Sequence, residues 1–292
     1  MSLVGVLLVW VLGVGARMAG AQEPAAPQAV SPAQLHAAIG KLGDLNYSIR
    51  TDASRTVRRT SAAQAVPALI DAVTNHADGY VRYRALVLLT GFNDPRTKDI
   101  MREVLSSPND RLRTVAYSFF ERTPDPALVP QFLAALDKEV AEFVRPALIR
   151  ALAAQSTDPK VRQALLREVG RGEDFFRSAV IEALGDYKAA FAYDAINGIA
   201  KLDGPLQDDA ALALGKIGDK RALETLAADQ RTAPRHVQPS IAAAICLLGI
   251  NCSSHQGYLI EALKFTDKNM GFQELLRGAA AGLAALGLAG HD

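Results

Sequence analysis

The amino-acid sequence calls for an all-α solenoid of about seven and a half helix pairs, on three grounds. One apolar pattern returns eight times, at Ile49, Val81, Leu112, Val144, Phe176, Leu206, Val237 and Leu276, every 30 to 32 residues until a final step of 39. A period of that length marks stacked repeats rather than one spherical core. Apolar residues follow each anchor four, seven and eight positions on, as in Ala85, Leu88 and Leu89 or Val180, Ala183 and Leu184, which share one face of a 3.6-residue helix. Composition agrees: 49% hydrophobic but only 6% aromatic residues suit closely packed Ala- and Leu-rich helices. No sustained period-2 alternation bounded by hairpin signals competes with that reading.

From the N-terminus, Leu3 to Ala16 is an apolar run of signal-peptide length, short for a bilayer span. Ala19-Gly20-Ala21 supplies the small residues of a cleavage site. Residues 1–21 are therefore expected to be a signal peptide cut before Gln22, and the mature protein to be exported, periplasmic or secreted, with no stable membrane span. No Lys or Arg precedes the apolar core and Arg17 follows it, which leaves open an uncleaved leader tethering the chain to a membrane, or a buried capping helix. Residues 22–31, "QEPAAPQAVS", are too Pro-rich and too short for a packed element and read as a linker. The solenoid is assigned to residues 32–292, opening at Ser31-Pro32 with a helix, "AQLHAAIGKL", that shields the first repeat.

In each repeat the anchor starts the first helix. The residue after it is Arg50, Arg82, Arg113, Arg145, Arg177 or Arg277 in six copies and Gln207 or Gln238 in the other two. This register reads either as a basic ladder for anionic ligands or as structural arginines whose stems pack between repeats, and the structural reading is preferred because the ladder follows the stacking register. The second helix is announced by Asp94-Pro95, Asp125-Pro126 and Asp158-Pro159, where Asp accepts from free first-turn amides and Pro has no N–H to leave unpaired. Ser61, Asp219 and Asn251 fall near the same offset, and Gly185, Gly218 and Gly249 sit where a first helix should stop.

Here the chain resembles the HEAT-repeat superfamily, in particular the short HEAT-like repeats first named in phycobilin (PBS) lyases. The stretches that carry the resemblance are "DDAALALGKIGDKRALETL" from Asp208 and "RSAVIEALGDYKAA" from Arg177, and it extends from about Leu42 to the C-terminus. It implies an all-α, right-handed solenoid of about seven and a half HEAT-like helix pairs. For function it implies less, since the family holds adaptors, chaperone-like factors, lyase subunits and a few enzymes.

No catalytic, cofactor or metal residues are assigned, and no cofactor is expected. The five histidines are scattered and none precedes Glu, unlike the His-Glu pairs of the di-iron hydroxylases built on HEAT repeats. HExxH, CxxC, GxSxG and phosphate-loop patterns do not occur. Cys246 and Cys252 read either as a disulfide, which needs the chain to turn at Gly249, or as two separate thiols. His236 and His255 flank them without matching a zinc spacing. With 32 basic and 31 acidic residues, and only Arg17 lost with the leader, the chain has no basic surplus for nucleic acid. The last helix, within residues 275–290, is apolar around nearly its whole circumference and reads as a buried half-repeat or a self-association surface.

The expectation is thus a non-enzymatic protein-interaction scaffold or adaptor in the cell envelope. It would bind a protein partner through a concave face formed by the second helices, where Arg102, Gln131, Gln163, Asn197 and Glu224 are the candidate contacts. The alternatives are a bilin-lyase-like enzyme or subunit and an assembly factor for an envelope enzyme complex.

Overall fold

The computed structural model describes residues 30–291. The expected signal peptide and residues 22–29 of the linker lie outside the described residues. Val30 is buried and Ser31 caps the first helix in a capping box with Gln34, so these two residues belong to the fold rather than to the linker.

Sixteen α-helices and four 3-10 turns follow, with no strand among the described residues. The capping helix α1 spans Pro32–Gly40. First helices are α2 (Tyr47–Arg59), α4 (Gly79–Leu89), α6 (Asp110–Arg122), α8 (Arg145–Ala153), α10 (Asp174–Asp186), α12 (Gln207–Ile217), α14 (Gln238–Leu247) and α16 (Gln273–Leu288). Second helices are α3 (Ala62–Asn75), α5 (Arg96–Val104), α7 (Val129–Leu136), α9 (Pro159–Val169), α11 (Tyr193–Ala200), α13 (Ala222–Thr232) and α15 (Cys252–Lys268). The described residues thus form seven pairs and one unpaired first helix, an all-α solenoid. No helix among them is long and apolar enough to cross a membrane.

Burial follows the predicted register. Val81, Leu112, Val144, Phe176, Leu206 and Val237 are buried at the starts of successive first helices, and the residues four and eight positions further close the same core. Ile49 keeps the register but is partly exposed, because only α1 covers that end of the stack. At the other end the register is corrected by one residue. Leu275, Ala279 and Gly282 are the buried set in α16, whereas Leu276 points outward. The expected anchor was displaced because Leu275 and Leu276 are equally apolar and only packing distinguishes them.

Small residues set the spacing of the first helices. A Cβ on Gly185 would lie 2.9 Å from the Cα of Ala213, and one on Gly215 would overlap Ala244 still more closely. A glycine inside a helix costs roughly 1 kcal/mol relative to alanine, so these two are tolerated for the close approach they allow. Gly185 is therefore not the helix stop expected from the sequence: α10 runs on to Asp186, and Lys188 takes the left-handed conformation instead. Gly218 does terminate α12 in that conformation, with φ +83°. Asp94, Asp125 and Asp158 each accept a hydrogen bond from the amide two residues on, at 3.0, 3.3 and 2.7 Å; Asp158-Pro159 starts α9 directly, Asp94-Pro95 leads into α5 and Asp125-Pro126 into α7 through the 3-10 turn Pro126–Leu128.

Gly215→Ala is expected to lower unfolding stability by about 1–3 kcal/mol, as overpacking does in a close-packed contact. Leu184→Asp, which puts an unpaired charge at a fully buried site, should cost more. Urea unfolding of both variants checks this; unchanged midpoints would contradict the packing described.

Candidate functional site

The side chains after the anchors close the junctions between repeats. The last carbonyls of a helix have no partner inside it. In this array, Arg82 Nε donates to Val73 O at 2.7 Å and Arg177 Nε to Val169 O at 3.0 Å, both in the last turn of the preceding second helix, and Arg113 Nη1 donates to Ser107 O at 2.8 Å in the turn just after α5. Arg50 does the same with Asp44 O after the capping segment. The two glutamines make the equivalent bond: Gln207 Nε2 donates to Ala200 O at 3.1 Å and Gln238 Nε2 to Ala233 O at 2.8 Å. The position therefore selects a long side chain with an N–H donor, which explains why Arg and Gln share it.

Two arginines depart from the rule. Arg145 stacks 3.5 Å from the centroid of the Phe176 ring and approaches the fully buried Glu168 at 3.8 Å. One Glu168 oxygen accepts from Arg167 and Arg171, while the other lacks a hydrogen bond. Arg277 lies outside the register once Leu275 is the anchor. It reaches past α14 to Asp208 at 2.7 Å, and also pairs with Glu274. Burial, then Asp209, pushes the Asp208 carboxyl above its usual range despite Arg277.

A second network crosses the first helices at their C-terminal ends. Arg150 donates to Glu121 at 2.7 Å and to Asp186 at 2.8 Å, and Lys216 donates to Asp186 at 2.7 Å. Burial alone would raise the Asp186 carboxyl, but the bonds from Lys216 and Arg150 hold it below its ordinary value. Burial and then Glu121 push the Tyr187 hydroxyl, which donates to Glu121, up to about 12. An open cleft of about 500 Å³ runs beside this network, lined by Arg150, Asp186, Lys216, Leu247 and Leu288.

The sequence candidates on the second helices do not form a pocket. Arg102, Gln131, Gln163 and Glu224 are exposed on α5, α7, α9 and α13. Arg102 is engaged by Asp99 and Asp125, and its bond, followed by that from Lys98, holds the Asp125 carboxyl below its usual value. Asn197 on α11 is half-buried, with its Oδ1 unpaired. The outer stripe of α16 exposes Leu276, Ala280, Ala281, Ala284 and Leu288, the last 92% accessible.

At the end of the array the chain turns between α14 and α15 through Gly249, φ +86°, and Asn251, φ +47°. That turn brings Cys246 and Cys252 together as a disulfide, with their Cα atoms 4.3 Å apart. His291 packs against the pair, its Nδ1 3.7 Å from Cys252 Sγ. Spacing gave no hint of His291, which is 39 residues from Cys252, whereas His236 and His255, the neighbours in sequence, are not in the group of ligand atoms.

The family model of HEAT repeats matches residues 66–153. No curated protein sequence matches the chain. Among solved structures, YibA of E. coli is similar at 17% identity over 74% of this chain and 81% of its own, with a TM-score of 0.52. The human deoxyhypusine hydroxylase in complex with glycerol has 19% identity over 75% and 86% of the two chains, with a TM-score of 0.38. The CpcE–CpcF complex of phycocyanin lyase from Nostoc has 18% identity over 92% and 99%, with a TM-score of 0.45. The YibA likeness concerns fold alone, and the two lower scores add no argument. Residues 66–153 match HEAT repeats, and the same helix pairing continues on both sides of them in an all-α solenoid.

Arg113 also forms a two-bond pair with Glu139, both contacts 2.8 Å, in which the carboxylate is 7% exposed. Burial raises the Glu139 carboxyl, yet the bonds from Arg113 and from the Ala141 and Val140 amides together outweigh it and hold it below its ordinary value of 4.5. A depressed carboxylate contributes stability above its unfolded value, lost as pH falls through the folded one. Arg113→Ala is expected to cost on the order of 3 kcal/mol at neutral pH, by leaving the buried Glu139 carboxylate without its cation and with only backbone amides, chiefly Ala141 N at 3.0 Å, to bond it. Arg113→Gln, the residue of the sixth and seventh repeats, should cost less. In both variants stability should fall less steeply below pH 4.5 than in the parent, as read by urea unfolding across that range.

Proposed function

We propose that this protein is a non-enzymatic interaction scaffold that binds a protein partner along the outward side of its second helices, and that it acts in the cell envelope. The observation that carries this reading is a division of labour among the polar side chains. Most of those in the anchor register are occupied in closing the junctions between repeats, whereas the second helices α7, α9 and α13 carry exposed Gln131, Gln163 and Glu224. Exposed side chains repeated along a stack suit recognition over an extended surface. The apolar leader of the sequence supports the envelope assignment.

A photoreactive amino acid placed at Gln131, Gln163 or Glu224 in living cells tests the surface. Adducts with one envelope protein from these positions, and none from exposed Arg122 on α6, are expected; equal labelling from both sides, or none, would refute the second-helix face. The uncovered stripe of α16 supports self-association as a further property of the scaffold. Sedimentation at tens of micromolar should then show a dimer that Leu288→Glu returns to monomer.

A further inference from the structure

We infer that Cys246, Cys252 and His291, when the cysteines are reduced, form a binding site for one thiophilic d10 cation, Zn2+ or Cu+. This goes beyond the scaffold reading and does not depend on it.

The site is built by three helix ends meeting at one point. Cys246 lies in the last turn of α14 and is fully buried; Cys252 opens α15. His291 follows the end of α16, where Gly290 at φ +81° reverses the chain and the His291 amide returns to Leu286 O at 3.1 Å. Gln256 of α15 donates to His291 O at 3.4 Å. The imidazole is thus positioned by its backbone from two helices rather than carried on a free tail. Cys246 is part of the apolar cluster that includes Leu212, Ala243, Leu259 and Leu286, and Cys252 packs against that cluster, surroundings that disfavour harder, more strongly hydrated ions.

Distance decides that these atoms can share an ion. Cys Sγ ligands sit about 2.3 Å and His nitrogens about 2.0–2.1 Å from Zn2+, so two ligands of one ion are separated by less than about 4.6 Å. The two sulfurs and the nearer His291 nitrogen already lie within 4.8 Å of one another in the disulfide-bonded state, so a small side-chain adjustment on reduction brings all three to the separations one ion allows. Thiolate with imidazole is the donor set that favours Cu+ and Zn2+ over Mg2+ or Ca2+. Three ligands complete a trigonal Cu+ site, and leave one position for water on Zn2+.

The disulfide and the metal exclude each other. A small disulfide oxidant takes up two electrons and two protons and leaves as two thiols, while the Cys246 Sγ–Cys252 Sγ bond forms and both thiolate ligands disappear. Metal occupancy would therefore depend on the redox state of the surroundings.

The test uses the full chain, reduced and desalted without oxygen, with Zn2+ alone competed against a chromophoric chelator and Cu+ alone against bicinchoninate. One equivalent of at least one ion should bind, and none after the pair is oxidised, with free-thiol counting to establish each state. His291→Ala, which leaves both sulfurs in place, should weaken binding by at least the roughly tenfold that loss of a supporting partner costs a metal site. Because replacing buried Cys246 could unfold this end, Cys252→Ser is the companion variant, and circular dichroism of each metal-free variant checks its fold. No saturable binding of either ion to the reduced chain, or unchanged affinity in folded His291→Ala, would overturn the three-ligand site.

Discussion

A stack of short helices has to satisfy the carbonyls at each helix end where one repeat hands over to the next, because those groups are half-buried and have no partner inside their own helix. Here the solution is a single side chain placed one residue after the buried anchor, reaching back to the end of the preceding pair. The same residue lies at the start of a first helix, so it ties the entry of one repeat to the exit of the last. Without that tie, the anchors could still bury their surface, but the angle between consecutive pairs would be set by apolar contacts alone. Non-directional contacts tolerate sliding, whereas a hydrogen bond to a fixed carbonyl does not.

The close approach of α10, α12 and α14 adds a second constraint of a different kind. Gly185 and Gly215 let the neighbouring backbone come near enough that the Cα and Cβ of Ala213 and Ala244 meet them most closely. Helix separation is then fixed by backbone contact rather than by adaptable side chains. The final three helices, α14 to α16, pack mutually around Leu259, Ala279 and Leu286, closing the array with a small core of their own.

Much of this was legible in the sequence because a repeat states its pattern several times, and each statement corrects noise in the others. The anchors, the Asp-Pro helix starts and the ladder position are all local in sequence and recur at one period. What stayed hidden is either terminal or long-range. Leu275 and Leu276 are indistinguishable as anchors in the sequence because the last copy has no successor to fix its register. Gly185 looked like a helix stop because glycine is ambiguous between ending a helix and letting another approach it. His291 joins the cysteines only through the packing of α16, and Arg150, Glu121, Asp186 and Lys216 are partners across 29, 36 and 30 residues. Nothing in the spacing of such groups distinguishes them from solvated charges.

The chain of ion pairs along the first helices alternates in sign, from Glu121 on α6 to Arg150 on α8, Asp186 on α10 and Lys216 on α12. Alternation gives this part of the solenoid a parity. Excising the single repeat that begins with α8 would set Glu121 against Asp186, and excising the one that begins with α10 would set Arg150 against Lys216. Removing two adjacent repeats would restore opposite neighbours. Although its units look interchangeable in cross-section, this stretch can lengthen or shorten without electrostatic conflict only by even numbers of repeats, so its modularity has a grain.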